Sequence, residues 1–383
     1  MRVLRVRPVV GAATIVLAAS AVTAGWLATA TSAAVRAPAD PALPAGTGYS
    51  VLGALAAVAA TSATDAWAVG TAGTAGTASK ALIVHWNGSR WSSVPAGAPA
   101  GTELRAVAAS SASNAWALGE IYSGTGRAVI LHWNGHAWKR VSFSAPAGTY
   151  LYSVSVTSPA SAWAVGSYGT SAAHMIALHW NGSAWKRVSL PKLKLPQGYQ
   201  DTALFGVSAT SRRNAWAVGP FVSEAAGAGG GFALHWNGRS WKRVSSAPAS
   251  AGTPVAVAAT SARYAWLIGC DCQGGPGGAV TGLWNGHTWK TEPTPVAKLG
   301  SFGGSGNAIA AAGHLAWAAG AYDNTQRPML LRWTGKAWKL TSVPTSKISI
   351  FGVAVTSATN AWAVGGTTKG KTLILHWNGS KWH

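Results

Sequence analysis

The chain of 383 residues carries 30 Lys and Arg against nine Asp and Glu, a formal charge of +21. Charged residues make up only 10% of it, so the excess comes mainly from scarce carboxylates, and its sign points to acidic partners such as wall polymers, anionic lipid surfaces or nucleic acid. Two cysteines alone are too few ligands for a structural zinc site.

Residues 1–33 read as a signal peptide or an N-terminal membrane anchor. Arg2, Arg5 and Arg7 form a basic start, and no further charge occurs before Arg36. Ala28-Thr29-Ala30 and Thr31-Ser32-Ala33 each fit a small-residue cleavage site. The apolar stretch between is also long enough to span a bilayer if retained. In both cases the arginines stay inside and the rest is exported, to the cell surface or beyond. No cysteine lies near this segment, which argues against a lipid-anchored lipoprotein. Without the three arginines, 27 basic residues face nine acidic ones, a net of +18. Residues 34–48 form a linker in which Ala34 to Pro38 could supply a ring-closing edge strand.

From residue 49 to 383 the chain repeats. Ala-Trp-Ala-Val-Gly or a close variant places a Trp at 67, 116, 163, 216, 266, 317 and 362, spaced 49, 47, 53, 50, 51 and 45 residues apart. Trp-Asn-Gly-x-x-Trp or a variant follows each time, at Trp86/Trp91, Trp133/Trp138, Trp180/Trp185, Trp236/Trp241, Trp284/Trp289, Trp333/Trp338 and Trp377/Trp382. These account for 21 of the 22 Trp, with only Trp26 outside. A period of this size marks a repeat architecture.

Within one unit, Leu104 to Ala109 alternates as a strand, Ser111 to Asn114 turns, and Ala115 to Gly119 is a second strand. Ala128 to Trp133 is a third, Asn134-Gly135 is a hairpin signal, and Trp138 to Val141 is a fourth. The expectation is an all-β fold, a seven-bladed β-propeller with four antiparallel strands per blade. Trp suits such thin blades because each ring buries on the order of 200 Å². The sequence leaves open whether Trp86 pairs with Ser89 across a two-residue turn or with Trp91 across a longer loop.

His85, His132, His179, His235 and His376 share one position, with Leu283 and Arg332 there in the other copies. A catalytic group is not normally copied five times, so these read as histidines between blades, bonded to backbone, and not as a metal ring. The lysines and arginines after the second Trp, such as Lys139-Arg140, sit on the outermost strand. There they block sheet-to-sheet pairing or form a basic girdle toward an anionic surface. Asn87, Asn181 and Asn378 lie in Asn-Gly-Ser, which the hairpin already explains.

In a propeller the loops from second to third strand and from fourth to first share one face. The copies diverge there, which makes it the natural place for specificity. The longest departures neighbour each other. One contains Lys192, Lys194, Tyr199 and Asp201; the next contains Phe221 and Glu224. The following blade carries Cys270 and Cys272 in the matching loop, a pair that could bridge only with strain. These residues are the candidate binding set, with Cys270–Cys272 a candidate disulfide. The Gly-rich stretches Thr71–Ser79 and Gly227–Gly231 read as flexible loops.

No nucleophile motif, phosphate loop, calcium loop or His/Cys cluster occurs, and the nine carboxylates are scattered, so no catalytic residue, metal or cofactor is assigned. The repeats resemble the tryptophan-rich propellers of secreted proteins of high-GC Gram-positive bacteria. In blade design they are similar to kelch (galactose-oxidase-like) and Asp-box propellers, over about residues 50–382. Gly286-His287-Thr288-Trp289 matches the end of an Asp-box, but Trp284 stands where the box has its Asp. The sialidase catalytic set and the galactose-oxidase copper site have no counterpart, so the resemblance implies scaffold and not activity. The expected function is an exported, non-catalytic, monomeric scaffold that binds a protein or an anionic or glycan envelope polymer. It would touch membrane only through an uncleaved N-terminal segment and have no specific nucleic-acid partner. The alternatives are a lectin-like propeller using exposed Trp and Tyr, and a hydrolase or lyase in the channel mouth using Asp201 or Glu224.

Overall fold

The computed structural model describes residues 49–73, 79–121, 127–169, 173–195, 201–222, 229–244, 253–270, 278–298, 305–322 and 327–383. They form seven small antiparallel sheets, one per repeat. Blade 1 is β1 (Gly53–Ala60), β2 (Ala66–Ala72), β3 (Lys80–Trp86) and β4 (Trp91–Ser93). Blade 2 is β5 (Thr102–Ser111), β6 (Asn114–Ile121), β7 (Arg127–Trp133) and β8 (Trp138–Arg140). Blade 3 is β9 (Tyr150–Ser158), β10 (Ser161–Tyr168), β11 (His174–Trp180) and β12 (Trp185–Arg187). In blade 4, β13 (Asp201–Thr202) and β14 (Gly206–Ser211) together border β15 (Asn214–Val222), followed by β16 (Gly229–Trp236) and β17 (Trp241–Val244). Blade 5 is β18 (Thr253–Ser261), β19 (Tyr264–Cys270), β20 (Ala279–Trp284) and β21 (Trp289–Glu292). Blade 6 is β22 (Ser305–Ala312), β23 (Leu315–Tyr322), β24 (Arg327–Trp333) and β25 (Trp338–Leu340). Blade 7 is β26 (Ile348–Ser357), β27 (Asn360–Thr367) and β28 (Thr372–Trp377), and Trp382–His383 take the fourth place. There Trp382 bridges Trp377, and the backbones of His376 and His383 exchange hydrogen bonds of 2.9 and 3.0 Å. The first strands lie side by side in a closed ring, with β1 against both β5 and β26. The seven-bladed propeller is therefore as the repeats imply.

Six of the seven blade interfaces are built from one large residue laid on two alanines; at the other, Trp216 meets Ala265 and Leu267 of blade 5. The first-motif Trp of one blade packs against both Trp of the next blade's second motif, with ring centroids 4.7–5.2 Å apart. Trp67 and Val69 also share a core with Ala115 and Ala117 of blade 2. Trp116 and Leu118 sit likewise with Ala162 and Ala164. The series closes when Trp362 and Val364 of blade 7 meet Ala66 and Ala68 of blade 1. The alanines of Ala-Trp-Ala are small because the previous blade's indole covers them. All seven first-motif Trp are 0–1% exposed.

The second-motif hairpin has the longer loop: Trp86 pairs with Trp91, and Asn87 Oδ1 accepts from the N–H of Ser89 and Arg90. Gly88 stands at φ 93°, a value that glycine takes without strain. The indole N–H of Trp86 donates to Ala63 O at 3.0 Å, tying this hairpin to the turn between the first two strands. The equivalent bonds recur from Trp133, Trp180, Trp236, Trp284 and Trp377. These two sets of tight turns therefore share one face, and the longer connections occupy the other. At the ring closure, Thr372 N–H donates to Val51 O and Gly53 N–H to Gly370 O, at 2.9 and 2.8 Å. Residues 34–48, including the expected closing strand Ala34–Pro38, lie outside the described residues.

The recurrent histidines bond side chains of their own blade and not backbone, while His132 also approaches Trp180 of the next blade, with ring centroids 6.4 Å apart. His132, His235 and His376 Nε2 pair with Asn114, Asn214 and Asn360 Oδ1 at 2.7–2.9 Å. His85 meets Asp65 at 2.7 Å and His179 meets Ser161 at 3.3 Å. Each ring also lies against its own blade's first-motif Trp, with centroids 4.1–4.5 Å apart. Where Tyr264 or Leu315 replaces the polar partner, Leu283 or Arg332 replaces the histidine, so the pair changes as a unit.

Burial holds the His132, His179 and His235 rings below the ordinary value of 6.5, and takes His376 to about 4 with help from the nearby His383. Burial alone would raise Asp65, but hydrogen bonds from His85 and Thr61 and the His85 charge outweigh it and hold it below 3.8. The unfolded chain therefore takes up protons before the folded one as pH drops. Stability is full above pH 6.5, is lost as pH falls from there toward 4, and falls further as Asp65 protonates. Thermal unfolding at pH 7.5 and 4.5 should show a clear drop in Tm at the lower pH. Replacing His376→Leu together with Asn360→Tyr, which copies blade 5, should reduce that drop.

Candidate functional site at the channel mouth

The glycine that ends Ala-Trp-Ala-Val-Gly sets up the site. A Cβ on Gly119 would stand 2.0 Å from Glu103 O, and one on Gly166 would stand 1.8 Å from Tyr150 O. Gly70, Gly219, Gly269 and Gly365 are placed alike. Such close approach lets each innermost strand carry a β-bulge at that point, and a bulge re-aims one side chain per strand. The register skips Ala56, Arg105, Tyr152, Val255, Asn307 and Phe351. In blade 4, Phe205 falls at the same place, between β13 and β14, with its N–H bonded to Val218 O at 2.9 Å. All seven are half-buried, on the strands that line the channel and near the face of long connections. One backbone position, repeated around a ring, thus carries Ala, Arg, Tyr, Phe, Val, Asn and Phe.

Arg105 and Tyr152 of this ring neighbour each other on blades 2 and 3 with Phe205 next on blade 4, while Asn307 of blade 6 donates to Ile350 O at 3.1 Å. Arg105 binds Glu120 through Nε at 3.0 Å and through Nη2. Tyr152 OH lies 3.1 Å from Ser167 Oγ, and its ring meets Phe205 edge to face at 5.2 Å. Burial raises the Tyr152 phenol, and the Glu120 charge adds to this, so it stays protonated near neutral pH and serves as a hydrogen-bonding group, not a base. Glu103 stands directly opposite Glu120 across β5 and β6, a pair of carboxylates that no sequence spacing signals. Directly opposite Cβ atoms lie roughly 5 Å apart. Arg105 is the cation that neutralises this acidic corner. Between blades, Ser153 and Ser155 Oγ accept from the N–H of Val207 and Ala209, and Ser208 Oγ from that of Ala259. These bonds fix the inner strands that carry the arc.

The candidate residues named from sequence do not form one constellation. Lys192 and Lys194 are exposed on a segment whose Val188, Leu190 and Leu193 pack on the blade 4 core. Arg243 of β17, the outermost strand, donates to Lys194 O at 3.1 Å, so both lysines ride the outer edge. Asp201 and Phe221 are on the other side of that sheet, where β13 meets β15: Asp201 pairs with Val222 and Thr202 with Phe221. The Phe221 ring covers Gly230, where a Cβ would lie 2.4 Å from Cζ. Gly229–Gly231 belong to strand β16 and are not a flexible loop. Tyr199, Glu224 and Cys272 lie outside the described residues, and Cys270 ends β19, paired with Thr253 and Ala279. The second-motif Trp are buried or half-buried throughout, and none is an exposed ring. Among the described residues no group of three or more His, Cys, Asp or Glu could hold a metal ion. Sequence reading missed Arg105, Glu120, Tyr152 and Phe205 because a bulge is invisible to strand alternation. The signal available was the recurring Gly two residues beyond Trp-Ala.

No family model matches the chain, and no curated protein does. Its shape is nonetheless similar to several solved propellers. A polysaccharide lyase, an ulvan lyase bound to -[GlcA(1-4)Rha3S]-, superposes with a TM-score of 0.59 at 11% identity, over 88% of this chain and 96% of that one. Streptogramin B lyase gives 0.55 at 12%, over 84% and 94%. YCF48 bound to D1 peptide gives 0.53 at 14%, over 88% and 97%. At such identities the likeness is one of fold.

The bulge argument makes a direct prediction. Gly166→Ala should destabilise the protein by about 2 kcal/mol or more in urea unfolding, since backbone must move to admit the methyl group. Gly335→Ala, where nothing lies within 4 Å, should cost less despite its positive φ.

Proposed function

We propose that this protein is an exported, non-catalytic β-propeller scaffold that binds a protein or an envelope polymer at the channel mouth of blades 2 to 4. The observation that carries this reading is the bulge ring. Its side chains vary from Ala to Arg while the Trp, Ala and Gly that build the blade stay nearly fixed. Variation at a position whose backbone is constrained and whose side chain stays half-buried, outside the cores of most blades (Val255 packs on one), is what a reading surface needs. Arg105, Tyr152 and Phe205 give that surface a charge, a hydroxyl donor and two aromatic edges. Arg and Tyr are residue types that often dominate binding energy. Propellers of similar fold include one solved with a peptide and one with a glycan, which supports the choice of ligand classes. Export rests on the basic and apolar N-terminal segment alone.

A glycan-binding form of this reading would use Tyr152, Phe205 and Phe351 in place of Trp. The test is binding of the purified chain to a glycan panel, a peptide library and isolated bacterial envelopes, with an Arg105→Ala, Tyr152→Ala, Phe205→Ala variant beside it. The expected result is one ligand class whose affinity falls at least tenfold in the variant while Tm changes little, since Ala56 and Val255 occupy the same position in other blades. Undiminished binding by the variant would remove the channel mouth as the site.

A further inference from the structure

The tight turns are alike in backbone but not in charge. On this face blade 4 carries Arg212, Arg213 and Arg239, blade 5 carries Arg263, and Arg90, Lys336 and Lys381 lie on other blades, all exposed. His136, His287 and His314 add exposed imidazoles. Every tight turn is within the described residues, and Asp65 is the sole carboxylate among them, buried and bonded to His85 and Thr61. The other described carboxylates, Glu103, Glu120, Asp201 and Glu292, stand at strand ends toward the opposite face. Among the described residues the propeller is therefore electrically two-sided, mixed at the long connections and, apart from the buried Asp65, basic at the tight turns.

The four arginines sit on neighbouring blades, three on blade 4 and one on blade 5. Arg213 packs over Gly238, whose Cβ would lie 2.9 Å from Arg213 Cγ, next to Arg239 in the same hairpin. Arg263 packs in the same way over Gly286 one blade on. Arg212 reaches back to blade 3, where its Nη2 donates to Ala160 O at 3.3 Å. Guanidinium groups match phosphate oxygens two at a time, and with no carboxylate nearby their charge is balanced only by mobile ions. A chain of phosphates would release those ions on binding.

We propose that the tight-turn face of blades 3 to 5 docks a linear phosphate-bearing polymer, independently of whatever the channel mouth binds. A lipid surface fits less well. Surface insertion calls for exposed Trp, Phe or Leu, and the exposed large apolar residues among those described are Leu52 and Leu340, neither on a tight turn. Single-stranded nucleic acid fits less well too, since base stacking uses exposed aromatic platforms and the turn-facing indoles are buried or half-buried with their N–H groups tied to backbone carbonyls.

The experiment measures affinity of the full chain for long-chain inorganic polyphosphate across a salt series, with phosphatidylglycerol vesicles and duplex DNA as parallel arms. One variant carries Arg212→Ala, Arg213→Ser, Arg239→Ser and Arg263→Ser. These are residues found at the same turn positions in blades 1 and 2, so folding is kept and Tm checks it. A second variant removes four charges from the outer strands instead: Lys139→Ser, Arg140→Ser, Lys290→Ser and Lys339→Ser, after Ser92 and Ser93 of blade 1. The expected result is polyphosphate binding that weakens at least tenfold in the first variant, with the log–log salt slope reduced by about 3 units. The second variant should change both much less. Equal losses in the two variants would overturn the proposal, as would binding to vesicles or DNA without binding to polyphosphate.

Discussion

An indole laid across two alanines of the next blade is the contact on which the whole molecule depends. Each sheet is only four strands wide and cannot bury its own faces, so each face must be filled by its neighbour. The Trp supplies most of the apolar area of that interface, and the flanking alanines make room for the previous Trp. The indole meets two alanines at six interfaces and Ala265 with Leu267 at the seventh, and the ring-closing meeting, Trp362 on Ala66 and Ala68, is of the common kind. The core is therefore a closed series of equivalent interfaces and not one central cluster. Closure here is by packing as well as by the short backbone bonds between residues 51–53 and 370–372.

This interlock leaves the inner strand with a different task. It adds aliphatic side chains such as Leu55, Leu104 and Ile350 to the inter-blade cores, and its close approach to the second strand at Gly119, Gly166 and their equivalents leaves no space for a Cβ. A bulge follows, and with it one side chain per blade that packing does not dictate. The fold thus separates residues that hold the ring together from residues that face the channel. The two faces separate a second time, by charge, because among the described residues every carboxylate but Asp65 is on the long-connection side.

Fold was legible because its causes are local and repeated. Trp spacing gave the blade count, and Asn-Gly gave the position of each hairpin. The four-residue loop follows from Asn87 Oδ1 accepting two backbone N–H groups, one of two readings the sequence allowed. The site was far less legible. Loop length drew attention to Lys192, Lys194, Asp201 and Phe221, yet the lysines are carried outward by Leu190 and Leu193, which seek the core, and Phe221 covers a glycine. Arg105 and Tyr152 looked like ordinary strand residues, because a one-residue slip in register leaves no mark in a stretch of Ala, Val and Ser. The histidine partners were hidden for a similar reason. The residue two before each first-motif Trp reads as part of a turn, and only folding brings it to the third strand.

Closure between blades 7 and 1 is equivalent to the other Trp-on-alanine interfaces, so the ring should unfold as one unit. Urea unfolding of Trp362→Ala beside Trp163→Ala tests it, followed by both intrinsic fluorescence and far-ultraviolet circular dichroism. The account predicts a similar loss for both variants, about 3–5 kcal/mol, in a single transition that the two probes report together. A Trp362→Ala variant close to the parent in stability, or one with a separate early transition for its terminal blades, would contradict it.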